Sequence, residues 1–123
     1  WMENYEKVTG GDVTAIPHNG NLSNGMMFAL QDDFADGKAY DREYAEQRQK
    51  WERLYEVTQY KGDGEAHPLL SPNDEFADYY TWDKGDFGFN AKKPEMLPHE
   101  YARSALRLGL EQAAKLGAGI RSY

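Results

Sequence analysis

The chain has 123 residues, 21 acidic against 14 basic side chains, a net charge of −7 and no Cys. That length allows one domain with one core. No Lys/Arg cluster is present to displace counterions from a nucleic acid, the same balance disfavours an anionic membrane surface, and no apolar run approaches the roughly 20 residues of a membrane span.

Residues 2–9, MENYEKVT, place Met2, Tyr5 and Val8 on one helical face, and Gly10-Gly11 supplies a stop. The next stretch, DVTAIP, sets Val13, Ala15 and Ile16 between turn signals and predicts a short buried strand. Residues 18–25, HNGNLSNG, are loop by composition, and MMFAL after them reads as a helical turn or an extended piece. From Asp41 to about Trp51 a helix is expected, with Tyr40, Tyr44, Arg48 and Trp51 on one face. RLYEVTQ carries the β-formers Tyr55, Val57 and Thr58 and predicts a second strand.

Residues 61–98 hold four of the five prolines, many Asp and Gly, and no period. They predict a long ordered loop, of a kind that usually serves function. The last helix is expected to start at Pro98 and to stop at Gly117. Its apolar stripe would be Tyr101, Ala102, Ala105, Leu106, Leu110, Ala113 and Leu116.

A strand–helix–strand order implies a right-handed parallel crossover, hence an α/β fold class. Two parallel strands do not make an independent sheet. The chain is therefore expected to borrow strands, from a longer parent sequence or from a second copy through exposed strand edges. It opens on Trp1 in what reads as mid-helix, which also suggests an internal segment.

In parallel α/β folds, sites form at the carboxyl ends of strands. His18 lies just past the first expected strand and Glu56 lies toward the end of the second. If the two strands pair, neighbours about 4.8 Å apart could aim both side chains at one ion, and imidazole plus carboxylate suits Zn, Mn or Fe. The alternative is a loop-capping His and a Glu paired with Lys or Arg.

Asn19, Asn21, Ser23 and Asn24 offer hydrogen-bonding groups, with Gly20 and Gly25 allowing close backbone approach, so this loop could hold an oxyanion or serve as an ordinary turn cluster. It lacks the ending of a P-loop. Lys61, Glu65 and His67 follow the second strand: Lys61 could bind an anionic substrate and Glu65 could act as ligand or base, or both could simply be solvated. The clusters DYYTWD and DFGFN could stack on a sugar or aromatic group, or anchor a long loop.

Two motif matches fail. Asp32, Asp36, Gly37 and Glu43 fit calcium-loop positions, but Phe34 stands where a ligand is required. HEYAR begins like a zincin helix, but Arg103 replaces the second His, so His99 reads as a helix-start residue.

IPHNGNLSNGMMF, WERLYEVTQYKGDGEAHPLLSPNDEF and YARSALRLGLEQAAKLG, in this order, closely resemble the central part of the DUF3604 family. That family looks like part of the PHP-type metal-dependent phosphoesterase superfamily. The resemblance implies a distorted β/α barrel with divalent metals at the carboxyl ends of its strands. Residues 1–123 would be a single segment inside that larger catalytic domain.

By the same resemblance His18, beside Pro17, maps to a metal ligand, and Glu56 maps to a Glu at or beside the metals. Asn19, Asn21, Lys61 and Glu65 become candidate contacts to a small-molecule substrate. The His-x-His and Asp-x-His pairs of PHP sites are missing, and GAGIRSY departs from the family's course. The segment alone is therefore expected to be inactive, and family members suggest an exported, periplasmic parent. A non-catalytic module recognising sugar or protein is the other reading of the same residues.

Overall fold

The computed structural model describes residues 1–30 and 40–121; the rejected calcium loop, apart from residues 40–43, lies outside them. Among the described residues the architecture is mixed helix and sheet, with three helices, α1 (Met2–Thr9), α2 (Arg42–Trp51) and α3 (Ala102–Leu116), and a single hairpin of β1 (Thr58–Gln59) and β2 (Gly62–Asp63). Short 3₁₀ turns occupy Gly20–Leu22 and Pro94–His99. Among the described residues no helix is long and apolar enough to cross a membrane.

The first two helices form where the sequence places them. α1 ends on Gly10, whose φ of 69° suits a residue without a Cβ. α2 starts from Asp41, whose side chain accepts the Tyr44 N–H at 2.9 Å and satisfies one orphan donor of the first turn. Its inner face is Ala45, Arg48 and Trp51. Buried Arg48 pairs with Glu52 at 2.6 Å, donates to the Met27 carbonyl at 2.9 Å and lies over the Phe28 ring. This one guanidinium joins α2 to residues 27–28.

The expected parallel strands do not form. Residues 13–17 and 53–57 do run beside each other in the same direction. The Ala15 N–H donates to the Trp51 carbonyl at 3.0 Å, and the Glu56 N–H to the Pro17 carbonyl at 3.2 Å. The offset between partners changes from one bond to the next, because the chain leaving α2 turns before it extends, and Pro17 has no N–H to continue a ladder. Ile16, expected inside, is exposed, while Pro17 is buried. The regular pairing is instead antiparallel and local, Thr58 with Asp63 and Gln59 with Gly62, across a tight turn at Tyr60-Lys61.

α3 starts at Ala102, not Pro98, which sits inside the preceding 3₁₀ turn. The first free amides of α3, on Ala102 and Arg103, donate to the carbonyls of Gly64 and Glu65 at 2.8 and 3.1 Å. Tertiary structure rather than a local signal therefore places the helix start. The buried line also differs from the expected stripe: Leu108, Gly109 and Gln112 face in, and Leu110 faces out. The cause is the tail after Gly117, which folds back so closely that a Cβ on Gly109 would collide with the Ile120 carbonyl. Ile120 then enters the core with Phe28, Tyr55, Ala102 and Ala105. Phe28 and Tyr55 are its aromatic centre, with rings 5.5 Å apart.

α1 buries no residue. It is tied to α2 through Glu6, which accepts from Lys50 Nζ at 2.5 Å and from the Trp51 indole N–H at 3.1 Å. The Lys50 hydrogen bond, then that of Trp51, holds the Glu6 carboxyl below its usual range. A depressed folded value gives a contribution that is complete above the unfolded value and lost as pH falls through the folded one. Amide protection in α1, corrected for intrinsic exchange, should therefore fall as pH drops below the ordinary carboxylate range. Glu6→Gln should remove that dependence; the same pH profile in the variant would contradict the assignment.

Candidate functional site

The 18–25 loop leaves the 13–17 segment at Pro17 and coils at once into its 3₁₀ turn. Asn19 takes a φ of 59°, which an Asn side chain tolerates. Gly20 admits no side chain, since a Cβ there would strike the Glu100 carbonyl and the Tyr55 hydroxyl. This close approach leaves His18 at the loop's mouth, facing the end of the 53–57 segment.

His18 and Glu56 meet. Imidazole Nδ1 lies 2.5 Å from Glu56 Oε2, and Nε2 lies 3.0 Å from Asn19 Nδ2. An amide nitrogen donates only, so Nε2 accepts and the ring proton sits on Nδ1, donated to the carboxylate. Gln59 closes the cluster, donating to Asn19 Oδ1 at 2.6 Å and to Glu56 Oε2 at 3.3 Å. The His18 and Glu56 side chains are 57% and 36% exposed. A pair so open to water stabilises a fold by only ~0–1 kcal/mol. Among the described residues no third His, Cys, Asp or Glu completes a metal-sized group.

The other sequence candidates separate. Asn19 is in the cluster. Asn21 is buried beneath it, donating Nδ2 to the Lys61 and Asp63 carbonyls at 3.2 and 3.3 Å, which fixes the hairpin. Lys61 occupies the hairpin tip, its ammonium near the Tyr60 and Phe87 rings. Glu65 points elsewhere, paired with Arg103 at 2.7 Å, and the same Arg103 holds Asp74. His67 is buried against the Tyr101 ring, accepting the Leu69 N–H on Nδ1 at 3.2 Å with Nε2 3.2 Å from Asp83. His99, not a helix start, ends the 3₁₀ turn with Nδ1 3.1 Å from the Phe28 carbonyl.

Sequence reasoning missed the support beneath the site. Lys92 and Glu100 form an ion pair at 2.6 Å with side chains only 4% and 0% exposed. Lys92 also donates to the Asn21 carbonyl at 2.5 Å, and Glu100 Oε1 accepts the Gly25 N–H at 3.2 Å. The Tyr55 hydroxyl donates to the Glu100 carbonyl at 3.2 Å. Burial pushes the Glu100 carboxyl up, and Lys92 pulls it back down. No local pattern marks Lys92, which sits in an apparently solvated Lys-Lys-Pro. Nor does the sequence mark Gln59: three residues past Glu56 in an extended stretch, alternation would put it on the opposite face.

The family described as "Protein of unknown function (DUF3604)" has a sequence model that matches residues 1–119. The chain belongs to the DUF3604 family. No curated protein and no solved structure matches it. In this DUF3604 chain the three family-like stretches converge: HNGN supplies His18 and Asn19, YEVTQ supplies Glu56 and Gln59, and the start of α3 adjoins Glu100 below.

Lys92→Met alone should destabilise the protein by ~3–5 kcal/mol, because it strands a buried carboxylate. Lys92→Met combined with Glu100→Gln should recover most of that loss. Urea unfolding midpoints check both, and equal loss in the single and double variants would show that charge pairing is not what the site rests on.

Proposed function

We propose that this chain is part of a metal-dependent hydrolase of phosphate esters, built on a PHP-like distorted β/α barrel to which the longer parent supplies the remaining strands and ligands. The observation that carries the reading is the exposed His18–Glu56 pair at the ends of two co-directional segments. A hydrogen-bonded pair that contributes little to stability, yet is held by Asn19 and Gln59 and backed by a buried ion pair, suits chemistry better than scaffolding.

The donor set fits a divalent Zn, Mn or Fe ion in part. A metal-binding His usually gives its other ring N–H to a carboxylate, and here Nδ1 faces Glu56 while Nε2 is the free-pair nitrogen. His18 would hold the ion through Nε2 in place of its Asn19 contact. Glu56 would orient the ring through Oε2, and its Oε1, without a hydrogen bond among the described residues, could ligate as well. Such an ion lowers the pKa of a bound water and polarises a phosphoryl oxygen. Asn19, once released, would offer an amide to the ester oxygens, and Lys61 a positive charge from the adjacent hairpin. Asn21 and Glu65 would act indirectly, through the hairpin and through Arg103.

The aromatic side chains of the long excursion favour a second reading, a non-catalytic module for sugar or protein. Phe89, Tyr79 and Phe76 are among its most exposed residues. Metal content separates the two readings. By elemental mass spectrometry the full-length parent should carry Zn, Mn or Fe. His18→Ala should lower that content and phosphomonoester hydrolysis together, and Glu56→Gln should cost roughly 10–100-fold in metal affinity. Metal content unchanged by His18→Ala would reject the ligand role.

A further inference from the structure

The turn Tyr60-Lys61 is one residue beyond Gln59, which is bonded to both Asn19 and Glu56. The Lys61 ammonium lies 5.9 Å from the Tyr60 ring centre and 5.3 Å from that of Phe87. These distances are within cation–π range. Lys7, Lys50 and Lys92 are paired with carboxylates, whereas Lys61, like Lys84, Lys93 and Lys115, makes no ion pair among the described residues. Its positive charge is thus positioned by rings and left available to an anion.

The rings themselves are open: Tyr60 is 87% and Phe87 65% exposed. The hairpin backbone that carries Tyr60 and Lys61 is tied to the site and to the excursion. The Asp63 N–H donates to the Tyr80 carbonyl at 2.6 Å, and the Lys61 carbonyl accepts from buried Asn21. A Cβ on Gly62 would meet the Tyr80 carbonyl at 2.8 Å and the Trp82 Cβ at 3.4 Å, so the excursion lies directly on the hairpin.

We propose that Tyr60, Lys61 and Phe87 form the recognition corner for a phosphate monoester whose organic part is a flat or chair-shaped ring, with the ring on the aromatic faces and Lys61 on the phosphate. This deepens the hydrolase reading and rests on it for the reaction, but not for binding. An aryl group and a sugar both present such a ring, and stacking on aromatic faces is the chemistry they share.

The test is titration calorimetry of the purified full-length parent with phenyl phosphate, glucose 6-phosphate and glycerol phosphate, each in chelator and again with added Mn. In chelator at least one ring ester should bind on the order of threefold to tenfold more tightly than glycerol phosphate. Whether phenyl phosphate or glucose 6-phosphate gains identifies the ring. Tyr60→Ala with Phe87→Ala should erase the preference, and Lys61→Gln should weaken all three phosphates severalfold. Tyr60 and Phe87 are exposed and Lys61 is half-buried, and unchanged unfolding midpoints verify that the variants fold. No ring preference, or a preference that survives the double variant, overturns the proposal. Ring preference in chelator with no gain from Mn would keep the corner and reject the metal reading; a gain from Mn without ring preference would do the reverse.

Discussion

The buried pairing of Lys92 with Glu100 is the constraint on which the rest of the molecule depends. Two opposite charges taken out of water are tolerated only when every polar atom finds a partner. Here the charges' partners come from distant parts of the chain, the Asn21 carbonyl and the Gly25 N–H, while the Tyr55 hydroxyl holds the Glu100 main-chain carbonyl. The pair therefore brings together the 18–25 loop, the segment after α2, the end of the long excursion and the start of α3. Gly20 completes this junction, since only a residue without a side chain can lie against the Glu100 carbonyl and the Tyr55 hydroxyl. A junction of this kind contributes more to the uniqueness of the arrangement than to its net stability.

Above the junction the balance of energies is reversed. His18, Glu56, Asn19 and Gln59 are hydrogen-bonded to one another but open to water, so their mutual attraction is screened. Their geometry is held from below rather than by their own bonds. This separates rigidity from reactivity: the buried charges position the loop, and the exposed imidazole keeps one nitrogen whose present partner, an Asn amide, is easily displaced.

Residues 64–93 of the long excursion are ordered without regular secondary structure because their own side chains cap their turns. Asp86 accepts from the Gly88 and Asn90 amides, and His67 accepts from Leu69. Arg103 on α3 gathers Glu65 and Asp74, and buried His67 rests on Tyr101. With its polar groups satisfied locally, the excursion can leave many of its aromatic rings in solvent.

Much of this was legible in the order of residues. Helices α1 and α2 follow from periodicity and from Asp41 and Gly10 at their ends, and Gly117 ends α3 as its lack of a Cβ suggests. The meeting of His18 with Glu56 was legible as well, because each follows a short apolar stretch in a strand–helix–strand order. What the sequence could not reveal is everything set by contacts between remote segments. The two expected strands run together without a ladder, and α3 begins where the Gly64 and Glu65 carbonyls receive its amides. Its buried face is set by where Ile120 folds back over Gly109. Lys92 and Glu100 read as surface charges because burial of a charge depends on partners tens of residues away. Local signals determined which segments coil and where they stop; the tertiary structure alone decided which of their polar groups would be sealed from water, because only there do the compensating partners exist.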